Sequence, residues 1–429
     1  MVASESPLIA SITKTITNNE TTIISNNHVR PPTPSRKIEI HDPKNIRRSV
    51  SPLPNKLKSQ NDTTLSRSEQ QLFRKSINVK EGLPEYIVEK YDTFFLDCDG
   101  TIYEGEKLLP NAAETIDFLV REKKKRVCFV TNTSSRDGSQ LARKLNGLGI
   151  SSADGGNAHP SGAYAADFIR RAHPRATKVY VVGGGGLKNE LRRRGFETQT
   201  ERSDAAMEPF DAGTFSALNE RTVRDEQYDG VVVGLDTRLN YGKIVRAVGV
   251  LGGGKNPTER AAGGGAGHRK RTFFYASNDD AYDIVDGWFV PGTGGIVEML
   301  NHAASKMPHR AVENCPNDGV EDRKNPFGPR AVVLGKPNPD WMRYLLEKER
   351  VDVDRAVMIG DRLDTDVLFG NGAGVSSILV LTGVHGEEDV VASMTPTYIL
   401  SGLEELRLDG GENAIHLNGC SKKDISSRP

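Results

Sequence analysis

Residues Phe94–Glu106 read FFLDCDGTIYEGE, and the fold turns on how this stretch is taken. An apolar run, a buried strand over Thr93–Leu96, ends in two aspartates, Asp97 and Asp99, with one residue between them. In extended backbone, side chains two apart point to the same side, so the two carboxylates face together. They either cap a turn or do chemistry.

Outward from this point, strands and helices alternate. LPNAAETIDFLVREKKK reads as a helix, with Asn111 as N-cap, Glu114 completing a capping box, and Ile116, Leu119 and Val120 on one face. Arg126–Val130 is a second buried strand, and the next helix places Leu141, Leu145 and Leu148 at helical spacing. The rhythm returns late in the chain: RAVVLG (strand), PDWMRYLLEKE (helix), RAVMIGD (strand), TDVLFGNGAG (helix), SSILVLTG (strand). This order predicts an α/β fold, a doubly wound parallel sheet of Rossmann-like type. Ligands of such sheets sit at the carboxyl ends of strands, where Asp97, Thr131, Lys336 and Asp361 fall.

The middle of the chain has its own strand candidates, KVYVVGG, YDGVVVGLD and RTFFYASND. It also has two loose stretches, LGGGKNPTERAAGGGAGHRKR and MPHRAVENCPNDGVEDRKNPFGPR, which read as surface insertions. The expected organisation is a disordered N-terminal region over 1–82, a discontinuous core over 83–175 and 331–410, an inserted α/β domain over 176–330, and a tail over 411–429. Up to Lys80 there are 13 Lys+Arg against six Asp+Glu and few large apolar residues, too few to offset ordering entropy. A solvated tail is the expected reading of this basic arm, with phosphorylation or the binding of a protein partner as the alternative.

Over the whole chain 57 basic residues balance 57 acidic ones, so no global field points to nucleic acid or a membrane. No apolar run approaches the roughly 18 residues of a membrane helix. Cys98, Cys128, Cys315 and Cys420 lack metal-ligand spacing and read as reduced thiols of a cytoplasmic protein. The Ser-, Thr- and Asn-rich start leaves a transit peptide, to plastid or mitochondrion, as the alternative. GGGKN at 252–256 lacks P-loop spacing, GGGG at 183–186 fails the dinucleotide fingerprint, and HRKR at 268–271 reads as a solvated charge run. Cys98 reads as a small buried residue, with a redox brake on its neighbours as the minority reading.

The strand-end residues suit phosphoryl transfer. Asp97 can attack phosphorus, Asp99 can protonate the leaving oxygen and then activate water, and Lys336 can neutralise a transferring oxygen. Mg²⁺ prefers carboxylate oxygen, which Asp361 supplies, and Thr131 and Asn132 can hold another phosphoryl oxygen.

DCDGTI, VTNTS, GKPNP and GDRLDTD resemble, in order, the four motifs of the haloacid dehalogenase superfamily. HPSGAYAADFI, VYVVGGGGLKNEL, YDGVVVGLDTRLNYGKI and FFYASNDDAYDIVDGWFVPGTGGIVEML extend the resemblance to phosphoglycolate, 4-nitrophenyl and pyridoxal phosphatases, which carry a large α/β cap. The resemblance covers about residues 83–405 apart from the insertions. It implies Asp97 as nucleophile and Asp99 as acid/base, its carbonyl also on Mg²⁺. Thr131, Asn132 and Thr133 would bind phosphoryl, Lys336 would orient Asp97, and Asp361 and Asp366 would hold the metal and its water shell. Asp364 is left as a helix cap. Thr133 stands where the family usually has asparagine, which leaves one hydroxyl in place of an amide. The implied substrate is a small phosphorylated metabolite, foremost 2-phosphoglycolate, with pyridoxal 5′-phosphate or broad 4-nitrophenyl phosphatase activity as alternatives. Outside the hydrolases, phosphotransfer or a regulatory role of the basic arm remain the rivals. The resemblance also implies a homodimer through the cap.

Overall fold

The computed structural model describes residues 83–200, 228–252, 272–285, 287–306 and 330–407, all within the unit Ser59–Pro429. The expected disordered arm, most of both insertions, HRKR and the tail lie outside the described residues.

The first half of the chain supplies β1 (Thr93–Leu96), a small flap of β2 (Tyr103–Glu104) and β3 (Lys107–Leu108), then β4 (Arg126–Thr131) and β5 (Ala158–Pro160). The middle supplies β6 (Lys178–Val182), β7 (Glu197–Thr198), β8 (Gly230–Val233), β9 (Phe273–Ala276), and a hairpin of β10 (Tyr282–Val285) and β11 (Trp288–Pro291). Then come β12 (Val332–Val333), β13 (Ala356–Gly360), β14 (Ser376–Val380) and β15 (Tyr398–Leu400).

Among the described residues, six strands form one parallel sheet in the order β15-β14-β13-β1-β4-β5. β1 and β13 are buried along their whole length, as expected of central strands covered on both faces. Five strands form a second parallel sheet, β12-β9-β8-β6-β7. Phe95, Cys128 and Val130 of the first sheet share one apolar cluster with Val179, Val181 and Tyr275 of the second. The helices Ser161–Ala172 and Pro339–Glu349 contribute Tyr164 and Trp341 to that cluster, their rings stacked 5.8 Å apart. Burying such aromatics is a large apolar contribution, and it welds the two sheets into one hydrophobic unit.

Three local expectations are corrected. The strand in RAVVLG does not join the six-stranded sheet: β12 pairs with β9, Val332 opposite Tyr275, so Lys336 leaves the second sheet. Asn111 precedes its helix in left-handed backbone (φ 54°) and makes no side-chain cap, and the helix passes into a wider π turn over Phe118–Glu122. Asp364 is no helix cap either; it accepts from Arg362 Nε and a terminal guanidinium nitrogen, both at 3.1 Å. The structure shows two caps that the sequence reading did not single out: Asp137 closes a capping box with Gln140, and Asn338 caps Pro339–Glu349 with proline at the start.

Candidate active site

Asp97 continues the ladder of β1: its N–H donates to the Ile359 carbonyl at 2.8 Å, so its side chain leaves the sheet beside the end of β13. Asp361 follows β13 directly, and Asp366 lies one turn further on. The fold thereby brings Asp97, Asp361 and Asp366 together, with one oxygen from each inside a 4.8 Å group. They are 6%, 2% and 1% exposed. Lys336 Nζ, itself 2% exposed, donates to Asp97 Oδ1 at 2.5 Å, to Asp366 Oδ1 at 2.7 Å and to the Val130 carbonyl at 3.1 Å. All three ammonium hydrogens are therefore used.

Two glycines make room for Asp361. A Cβ on Gly100, held at φ +77°, would lie 2.4 Å from Asp361 Oδ2, and one on Gly383 would lie 2.0 Å from the same atom. Only hydrogen fits at either position. Oδ2 accepts from the Val384 N–H at 2.8 Å, while Oδ1 is buried with no hydrogen-bond partner.

The electrostatics follow from burial. It raises the Asp97 carboxyl well above the carboxylate range, with Asp366 and Asp361 adding to the effect and Lys336 opposing it. Burial and Asp366 push Asp361 up to about 7 against the Val384 N–H and Lys336. Burial alone would lower the Lys336 ammonium, but Asp366 and Asp97 more than reverse that and hold it charged. Three buried carboxylates around one ammonium leave uncompensated negative charge, which is costly without a cation. Together with the orphaned Asp361 Oδ1, the donor set fits a hard, oxygen-preferring divalent ion.

The Asp99 side chain lies outside this group and is exposed. The surrounding protein raises its pKa, with Lys144 and the Tyr103 hydroxyl opposing. The Tyr103 hydroxyl donates to Asp99 Oδ2 at 3.4 Å, and Lys144 Nζ sits 3.7 Å over the Tyr103 ring. Thr131 Oγ1 accepts the Thr133 N–H at 3.1 Å and keeps its own hydrogen to donate. The Thr133 hydroxyl pairs with Ser135 at 3.2 Å. The Asn132 amide faces the Lys336 backbone and Asp280. The Cys98 thiol is fully buried and pushed well up by burial, Asp97 and Asp99, a setting that suits a small buried residue.

Sequence patterns gave no sign of Asp280, Asp283 and Arg362. Arg362 donates to the Tyr282 carbonyl at 3.2 Å, tying the segment after Asp361 to the β10–β11 hairpin. Asp283, on that hairpin, is raised to about 6 by burial, then by Asp280 and Asp99, with Arg362 opposing.

A strand-end carboxylate group at the edge of a parallel sheet, with a lysine bridging it, defines a phosphoryl-transfer class of site. The chain belongs to the haloacid dehalogenase-like hydrolases and is a phosphoric monoester hydrolase. The family model described as haloacid dehalogenase-like hydrolase matches residues 94–197, and a second, HAD-hydrolase-like, matches 333–406. Phosphoglycolate phosphatase 2 of Arabidopsis thaliana is 32% identical over 325 residues, covering 75% of this chain and 93% of that protein. A glycerol phosphate phosphatase of Mycobacterium tuberculosis, solved in complex with magnesium, superposes with a TM-score of 0.55 at 25% identity, covering 75% of this chain and 78% of that one. A 4-nitrophenylphosphatase of Thermotoga maritima superposes with a TM-score of 0.55 at 27% identity, covering 75% of this chain and 97% of that one. No helix among the described residues is long and apolar enough to cross a membrane.

Proposed function

We propose that this chain is a Mg²⁺-dependent phosphomonoesterase of a small metabolite, acting through an aspartyl-phosphate on Asp97. The observation that carries this reading is the buried Asp97–Asp361–Asp366 group around Lys336, with Asp361 Oδ1 left unpartnered. Asp97, Asp361 and Asp366, with the Asp99 carbonyl, would hold Mg²⁺, which when bound supplies positive charge against the phosphoryl oxygens.

The rest is done by the chain. An Asp97 carboxylate oxygen bonds to phosphorus as the ester P–O bond breaks. Asp99, whose pKa is raised by desolvation, gives its proton to the leaving alkoxide. Asp99 then takes a proton from water; the water oxygen bonds to phosphorus, the bond to Asp97 breaks, and inorganic phosphate leaves. Lys336 holds Asp97 in place and offsets charge, and the Thr131 hydroxyl and Asn132 main chain donate to phosphoryl oxygens.

The name of the Arabidopsis thaliana relative supports 2-phosphoglycolate as the substrate to try first, and the two solved neighbours support glycerol phosphate and 4-nitrophenyl phosphate beside it. The test is phosphate release by purified protein with Mg²⁺, comparing kcat/KM for 2-phosphoglycolate, pyridoxal 5′-phosphate, glycerol phosphate and a panel of sugar and nucleotide phosphates. A clear preference for 2-phosphoglycolate is expected. Preference for another ester keeps the mechanism and moves the specificity elsewhere; no release from any ester by folded, metal-loaded protein overturns it.

A further inference from the structure

The side chain of Lys336 reaches Asp97, but its backbone is held from another direction. Asn132 Oδ1 accepts the Lys336 N–H at 2.9 Å, and Asn132 Nδ2 donates to the Lys336 carbonyl at 3.1 Å. The same Nδ2 donates to Asp280 Oδ1 at 3.0 Å. Asp280 Oδ2 in turn accepts from Asn278 Nδ2 at 2.5 Å, and Asn278 Oδ1 accepts from the Ser277 hydroxyl at 2.9 Å. Ser277, Asn278, Asn132 and Lys336 are all buried.

An ionised carboxylate only accepts, so the Asn132 amide must turn its NH₂ toward Asp280. With the amide turned that way, its oxygen meets the Lys336 N–H and its nitrogen meets the Lys336 carbonyl. The packing leaves no slack. A Cβ on Gly335, just before the lysine, would lie 2.3 Å from the Ser277 carbonyl and 2.7 Å from Asn132 Oδ1. The loop bearing Asp280 is fixed at its other side, since the Asp280 carbonyl accepts the Gly294 N–H at 2.9 Å across the base of the β10–β11 hairpin.

We propose that Asp280 is a positioning residue for phosphoryl transfer: by orienting Asn132 it sets the Lys336 backbone, and so aims the ammonium at Asp97. This rests on the roles of Asp97 and Lys336 proposed above. The hairpin-bearing loop thus helps assemble the nucleophile's charge environment.

The test is a double-mutant cycle, Asp280→Ala, Asn132→Ala and the pair, read as kcat and KM separately on the best ester of the panel, with thermal melts as the folding control. Misplacing a reacting group by about 1 Å costs on the order of 100-fold, so Asp280→Ala should lower kcat roughly 10- to 100-fold and change KM by less than about threefold. In the Asn132→Ala background the same change should cost almost nothing further, because its route is gone. Asp280→Asn, which keeps one acceptor, should fall between wild type and alanine and serves where the alanine variant melts early. Unchanged kcat in either Asp280 variant, a loss confined to KM, or a full multiplicative loss in the double variant overturns the proposal while leaving the hydrolase reading intact. Absence of activity in wild type would instead sink the hydrolase reading first.

Discussion

Lys336 and Asp97 stand 239 residues apart in the chain, and the lysine ammonium donates to the aspartate at 2.5 Å in a fully buried contact. An ammonium held there orients one Asp97 oxygen and leaves the other for the phosphorus. Asp97→Asn should keep the fold and lower turnover on the order of 10⁴-fold or more, as loss of a nucleophile does. Circular dichroism and a melt within a few degrees of wild type would certify the folding. Near-normal turnover would remove Asp97 from the mechanism.

Chelation should stop the enzyme and Mg²⁺ should restart it. A ligand that binds only the folded state stabilises it, by about 2.7 kcal/mol at a concentration 100 times its Kd. Mg²⁺ should therefore raise Tm in wild type and raise it much less in Asp361→Asn. Equal shifts in the two proteins would place the ion elsewhere.

Gly383 sits against the Asp361 carboxylate. In Gly383→Ala the added methyl would lie 2.0 Å from Asp361 Oδ2 and 2.5 Å from its Cγ, so the carboxylate must move. Overpacking of this kind costs about 1–3 kcal/mol. The Mg²⁺ concentration for half-maximal activity should rise roughly tenfold, in line with disturbed support of a ligand. An unaltered Mg²⁺ titration would show that the carboxylate tolerates displacement.

Asp283 gives a pH signature on the β10–β11 hairpin. Its carboxyl is raised from the usual 3.8 to about 6, first by burial and then by Asp280 and Asp99. Between those values the folded protein keeps a proton that the unfolded chain releases, so wild type loses stability as pH rises from about 4 to 6. Asp283→Asn lacks that loss. The variant's Tm advantage should grow across this window and level off above it, and because Asp283 is exposed, solvent screening holds the whole to about 1 kcal/mol or less. A pH-independent Tm difference would refute the assignment.

How far the sequence reaches depends on how local the physics is. β1, β4, β13 and β14 are continuous apolar runs with polar ends, and Pro339–Glu349 carries its own start signal in Asn338 and Pro339, so each shows in the residues alone. Asp97, Asp361 and Lys336 stand out in the sequence because strand ends and ordered motifs mark them, and the fold brings them together. The sheet to which Lys336 is attached was misread because β12 has two residues, too few for any alternation to show. Asp280 could not be found, because its partner Asn132 lies 148 residues away and only the closed fold brings them to 3.0 Å. Asn111 failed as a cap because its backbone is left-handed, which residue identity alone does not specify.

β12 has a consequence for engineering. A chimera that exchanges the five-stranded sheet with a relative's, cutting at the edge of the six-stranded sheet, would also exchange the segment that delivers Lys336 to Asp97. Graft boundaries must therefore fall between β12 and Gly335, which keeps this chain's own lysine, or the donor segment must present a glycine and a lysine in the same register.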